Sequence, residues 1–222
     1  MKKIPFKKLL NKHNGRSFLI CCPGKNFLDY HEDIQKIIKE EELITIGSNK
    51  ICELVYLDYH MFTNNDKYEK YGGIVHPNSV LMLGKYIKTK WAKKHSVKRY
   101  ISIEYTDRDK KEKLKYNKKT GVIEGYYRTS GNLAIMICHL MGASKIYISG
   151  MSGFTFEFDG KVHYYEAEIK RDQKSKKEWQ KKYDSPVAKS LDNLAEYGIP
   201  FKLITPTIYN KHYDKTILNR VT

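Results

Sequence analysis

The sequence predicts an α/β fold built on a doubly wound, mostly parallel sheet, and three observations carry that expectation. Apolar runs such as Ser17–Cys22 (SFLICC), Leu43–Gly47 (LITIG) and Lys145–Ser149 (KIYIS) lack the in–out alternation of a half-solvated strand, so they read as strands buried on both faces. Segments with helical spacing of apolar residues separate them, as parallel crossovers require. The 222 residues suffice for one large core, and residues 1–222 are expected to form a single domain with a basic insertion and a lid.

The elements follow in chain order. A basic leader, Met1–Leu10, lacks the apolar stretch of a secretory signal. The strand Ser17–Cys22 runs into Pro23-Gly24-Lys25-Asn26, and a helix extends from Phe27 to Glu41. Leu43–Gly47 ends in Gly47-Ser48-Asn49, a cluster of turn-forming residues. Leu54–Tyr59 (LVYLDY) reads as a third strand ending near Asp58 and His60. Val80–Leu83 is a short fourth, Lys85–His95 a basic helix with Ile87 and Trp91 turned inward, and Val97–Tyr105 an alternating, half-exposed strand. Thr106–Thr120 is a charged surface excursion. Thr129 or Ser130 caps the apolar helix Ser130–Met141, Gly142 ends it, and the strand Lys145–Ser149 stops on Gly150. Phe154–Tyr165 has hairpin character around Asp159-Gly160, and Glu166–Lys182 is a charged helix, so 154–183 is expected to be a hairpin and lid. Pro186–Tyr197 is an amphipathic helix, Phe201–Thr205 (FKLIT) the final strand, and the remainder a mobile basic tail. This is a Rossmann-like order. It lacks GxGxxG and GxxxxGK[ST], which argues against a dinucleotide fingerprint or a P-loop.

The formal charge is +16, and Lys85–Lys119 concentrates it, with 14 Lys/Arg against 4 Asp/Glu. A surface of that kind suits a polyanionic partner, whether nucleic acid, an anionic membrane face or an acidic glycan; a lysine-rich solvated surface is the alternative. On a helix Lys90, Lys93 and Lys94 share one face, and Lys98 and Arg99 lengthen the stripe. The four cysteines, Cys21, Cys22, Cys52 and Cys138, have no zinc-type spacing, which fits reduced thiols in a cytoplasmic protein. No run approaches the ~18 apolar residues of a bilayer span, so the expected location is cytoplasmic or peripheral at the inner membrane face.

Small and polar residues recur at the strand ends: Gly24, Asn49, Asp58 with His60, and Gly150 with Ser152. With Thr129-Ser130-Gly131 at a helix start, they would converge on one rim. Glycine lets a phosphate approach the backbone, and a helix N-terminus favours an anion. An ordinary αβ unit with an ordinary cap is the alternative.

Thr129-Ser130-Gly131, the apolar helix, and then Lys145-Ile146-Tyr147-Ile148-Ser149-Gly150 form a sequence that resembles the CMP-sialic-acid-dependent bacterial sialyltransferases of the small Campylobacter type. More broadly, it is similar to related Rossmann families such as the archaeal hydroxymethylpterin diphosphokinase-like proteins. The resemblance covers roughly Ser17–Asn64 and Thr129–Pro206. It implies that Thr129, Ser130, Gly131 and Gly150 cradle a nucleotide sugar, that Gly24 and Asn49 contact the nucleotide, and that no metal is needed. Tyr164 and Tyr165 stand for the family's phosphate-binding lid tyrosines. The chain departs from the family in its first loop, Cys22-Pro23, and at the position of the catalytic histidine, which reads Tyr183-Asp184-Ser185.

The expected activity is a metal-independent glycosyltransferase that takes a nucleotide-activated sugar as donor, needs no further cofactor, and serves an acidic or polyanionic acceptor. His163 is the best general base by residue type, since imidazole titrates near working pH, and Asp184 is its rival. An exposed hairpin histidine is the alternative for His163. Two other functions stay open. One is diphosphokinase-like phosphoryl transfer to a small heterocycle, which calls for Mg²⁺ and carboxylates; the other is a non-catalytic nucleotide- or nucleic-acid-binding module.

Overall fold

The computed structural model describes residues 2–92, 94–95, 99–106, 113–158, 160–166 and 173–220. Among these, one sheet takes in β1 (Lys2–Pro5), β2 (Ser17–Cys21), β3 (Ile44–Ser48), β4 (Tyr59–Phe62), β5 (Val80–Gly84), β6 (Arg99–Tyr105), β7 (Lys115–Asn117), β8 (Val122–Glu124), β9 (Lys145–Ser149) and β10 (Phe201–Leu203). Its spatial order is β10-β9-β2-β3-β4-β5-β6-β8-β7, with β1 paired to β6. Every pairing is parallel except β7 with β8.

Both faces of the sheet are covered, which is why its strands read as unbroken apolar runs. Phe18 and Ile20 of β2 point to one face and pack with Leu133 and Ile137 of α4 (Ser130–Leu140) and Leu191 and Leu194 of α6 (Ser185–Glu196). Leu19 and Cys21 point to the other, against Ile34 and Ile37 of α1 (His31–Glu40). Farther along that sheet Leu81 and Leu83 meet Tyr68 and Tyr71 of α2 (Asn65–Tyr71). Each such fully buried side chain contributes on the order of 1.5–3 kcal/mol. The architecture is the Rossmann-like α/β fold.

The topology fixes where a site can form. From β2 the chain steps through β3, β4, β5 and β6 in one direction, then returns to β9 and β10 on the opposite flank of β2. The order therefore reverses at β2, and the crevice beyond the carboxyl ends of β2, β3 and β9 is the topological switch point.

Several elements differ from expectation. The third strand is Tyr59–Phe62, not Leu54–Tyr59; Val55 and Leu57 are buried from a loop that follows a 3₁₀ turn, Asn49–Glu53. The basic helix shrinks to one turn, α3 (Thr89–Ala92). Part of the charged excursion is ordered, because β7 and β8 form an antiparallel hairpin that extends the sheet. Phe154–His163 folds as turns with one isolated bridge, Gly24 to His163, rather than as a hairpin, and Asp159 lies outside the described residues. The lid helix is α5 (Gln173–Trp179), which continues through a π-helical stretch, Gln180–Asp184, into α6. The C-terminal tail packs down: Ile217 and Leu218 are buried, and Leu203 bridges Tyr213. Among the described residues no helix is long and apolar enough to cross a membrane.

Candidate functional site

A cleft of about 100 Å³ opens at the switch point. It is lined by the loop after β2 (Cys22, Pro23, Gly24), the end of β3 (Ser48, Asn49), the start of α4 (Thr129, Ser130, Gly131), the loop after β9 (Gly150 to Phe154), and Val162 with His163. Of the residues singled out in the sequence, Gly24, Asn49, Thr129, Ser130, Gly131, Gly150, Ser152 and His163 meet here.

Close backbone approach builds the floor. Cys22 N–H donates to the Ser149 carbonyl and Gly24 N–H to the Gly150 carbonyl, both at 2.9 Å. Gly150 has φ +69°, and a Cβ there would overlap the Cys22 carbonyl; a Cβ on Gly24 would overlap the Gly150 carbonyl in turn. These two glycines are needed to bring the loops after β2 and β9 together. Gly131 is tight for another reason, since a Cβ there would press on the Met151 methyl and on Cys22 Sγ.

The start of α4 supplies the polar wall. Thr129 is the N-cap: its hydroxyl accepts from Asn132 N–H at 3.2 Å and donates to Asn132 Oδ1 at 2.8 Å. Ser130 Oγ donates to Ser48 Oγ at 3.2 Å, tying α4 to the end of β3. Among the described residues the N–H groups of Ser130 and Gly131 have no partner, as the first turn of a helix dictates. Cys22 also lines the cleft, but burial pushes its thiol up to about 12, so it stays protonated and a poor nucleophile.

A second hollow, of about 230 Å³, shares Asn49, Thr129, Ser130 and Phe154 with the first. It adds Asn64, Lys67, Arg128 and Tyr183. Phe154 lies 5.0 Å from Tyr183 between ring centroids, tilted by 30°, so the two rings border the shared mouth. Lys67 and Arg128 give this end a cationic wall that the sequence reading missed. The only signal was Arg128's position just before Thr129.

Other expected site residues stand elsewhere. His60 is fully buried behind the cleft, where its Nε2 meets the Asn49 carbonyl at 2.7 Å; it supports the left-handed Asn49 (φ +58°) instead of facing the cleft. Burial lowers His60 to about 4, so it is neutral. Asp58 lies at the opposite rim, where Oδ2 accepts from Thr45 N–H at 2.8 Å at the start of β3. Asp184 is buried and saturated: Oδ1 accepts from Phe154 N–H (2.7 Å) and Tyr209 OH (3.0 Å), Oδ2 from Thr155 N–H (2.9 Å) and Thr155 OH (2.6 Å). It clamps the loop after β9 and does not line the cleft. Tyr164 donates its hydroxyl to the Lys50 carbonyl at 2.7 Å, and the Tyr165 ring packs on His163; neither lines the cleft. Burial pushes both phenols up, so both stay neutral.

The cationic stripe is not a helical face. Lys94 falls beyond α3 and pairs with Glu69 at 2.6 Å, while Lys90 and Arg99 are exposed on separate elements, α3 and β6. Lys93 and Lys98 lie outside the described residues.

No protein-family model matches this chain, and no curated protein matches it.

Proposed function

We propose that the switch-point cleft binds a nucleotide-activated sugar and that the protein transfers the sugar to an acceptor hydroxyl, with His163 as general base. The observation that carries this reading is the juxtaposition, in one cleft, of the unpartnered N–H groups at the start of α4 and an imidazole on the facing segment. An anion such as a phosphate is favoured at that helix end. The cleft's small residues let a phosphate approach the backbone, and the adjoining hollow, which contains Asn64, suits the rest of the donor.

In this reaction the acceptor oxygen forms a bond to the anomeric carbon while the bond from that carbon to the phosphate oxygen breaks. The acceptor proton passes to His163, and the nucleotide phosphate leaves with the bonding electron pair. Charge gathers on the leaving phosphate, where the α4 N-terminus, Lys67 and Arg128 would stabilise it. The formal charge of +16 supports an acidic acceptor. The phosphoryl-transfer alternative is weakened because Asp58, the carboxylate expected at this rim, stands at the other end of the sheet.

The test is a thermal-shift panel of nucleotides and nucleotide sugars. A ligand at about 100 times its Kd adds roughly 2.7 kcal/mol of stability, which appears as a raised melting temperature. Ser130→Asp discriminates site loss from misfolding, since an acid in the first turn stabilises a helix but repels a phosphate. The expected result is an unliganded melting temperature as high as wild type and no shift with the nucleotide. A nucleotide that binds this variant as tightly as wild type, or a panel that shifts nothing, overturns the assignment.

A further inference from the structure

We propose that Glu166 is a positioning residue for His163, holding the imidazole proton on Nδ1 so that Nε2 is the basic nitrogen presented to the cleft. This rests on the cleft function above only for its purpose; the geometry stands by itself. His163 is held on three sides. Its backbone bridges Gly24, and Tyr164 N–H donates to the Pro23 carbonyl at 3.2 Å, which pins the segment to the loop after β2. The Tyr165 ring lies nearly parallel to the imidazole, 16° off, with centroids 5.3 Å apart. Nδ1 is buried and sits 2.9 Å from Glu166 Oε1, across a turn closed by Glu166 N–H donating to the His163 carbonyl at 3.0 Å.

The tautomer follows from electrostatics. The Nδ1–Oε1 contact is bent away from ideal hydrogen-bond alignment, and among the described residues Nδ1 has no other partner. If Nδ1 carried the lone pair, two electron-rich atoms would face each other at that distance without water between them. If Nδ1 carries the proton, the positive N–H lies beside a carboxylate oxygen 2.9 Å from the nitrogen and, although the contact is bent, the pair attracts. Glu166 is suited to the role. The His163 contact holds its carboxyl below the usual range, aided by the nearby Lys67 cation. Lys67 itself sits over the Tyr165 ring, 5.4 Å from its centroid, so cation, ring, imidazole and carboxylate form one packed group. Nε2, at the far edge of the ring, has no protein partner among the described residues and is left to take a proton from a bound acceptor.

Long-range ¹H–¹⁵N correlation spectra of the full chain at a pH where His163 is neutral read the tautomer directly, with His163→Ala assigning the signal. Wild type should show a protonated Nδ1 and a lone pair on Nε2. Glu166→Ala should move the ring to the Nε2–H form, and Glu166→Gln, which keeps an acceptor oxygen, should retain the wild-type pattern. A wild-type ring already in the Nε2–H form, or one unchanged in Glu166→Ala, overturns the inference. Once a donor is in hand, Glu166→Ala should lower kcat at least about tenfold with the donor KM unchanged. A wild-type Nδ1–H pattern in a protein that turns over no nucleotide sugar would support the positioning role and overturn the transferase reading instead.

Discussion

At the scale of single residues, burial decides which polar groups are tools and which are fasteners. His163 and Asp184 are both plausible bases by type, yet they occupy opposite situations. His163 lines the cleft with one nitrogen uncommitted, whereas both Asp184 oxygens already accept two hydrogen bonds each. Asp184→Asn should therefore act on stability. One of its two terminal atoms becomes a donor facing two donors, and hydrogen bonds to a charged group are worth about 1.5–3 kcal/mol each. A loss on the order of 2–4 kcal/mol is expected in chemical denaturation, with nucleotide binding kept wherever the variant remains folded. An unchanged denaturation midpoint together with lost turnover would return Asp184 to the list of bases. The residue types forming the cleft floor were legible in the sequence, because glycine, serine and asparagine after apolar runs mark strand ends. Burial was not, and so His60, Tyr164 and Tyr165, expected as ligand contacts, stand outside the cleft lining.

At the scale of elements, apolar runs proved a good guide to strands covered on both faces and a poor one elsewhere. Val55 and Leu57 sit as deep as strand residues, but in a loop, so the third strand was read one element too early. β1 pairs with β6, nearly a hundred residues away, and no local pattern announces such a partner. The basic helix failed because charge spacing describes a face only if the backbone is helical, and α3 is a single turn. The loops after β2 and β9 give a sharper test of how elements meet. Gly150→Ala imposes both a left-handed φ on an L side chain and an overlap with the Cys22 carbonyl, which is backbone and cannot swing away. It should cost at least about 2 kcal/mol and abolish the cleft. Gly198→Ala is the control: φ is +88° there too, but the space is open, so a cost of roughly 1 kcal/mol is expected. Equal losses in the two variants would mean that the loop contact contributes nothing.

At the scale of the whole molecule, the buried histidines tie stability to pH. Desolvation lowers His60 to about 4, and burial also lowers His13, His139 and His212. An unfolded histidine takes up its proton near 6.5, so between that pH and about 4 the unfolded chain binds more protons than the folded one. Stability should fall as pH drops through this window and the His60 contribution should level off below it, with His60 alone accounting for up to about 3 kcal/mol. Urea denaturation at pH 7.5, 5.5 and 4.5 reads this, and a flat profile would show that His60 is solvated in the native state. The same global view gives the contact between the loops after β2 and β9 a kinetic meaning. The two strands are neighbours in the sheet but far apart in sequence, Ser17 pairing with Lys145 and most of the domain threaded between them, so the cleft is complete only once this long-range pairing has closed. A chain synthesised only as far as α4 would lack the wall formed by Gly150 to Phe154 and His163, and a ligand held in the finished cleft would act as a latch. It would slow the opening of the finished fold while leaving the speed of its assembly untouched.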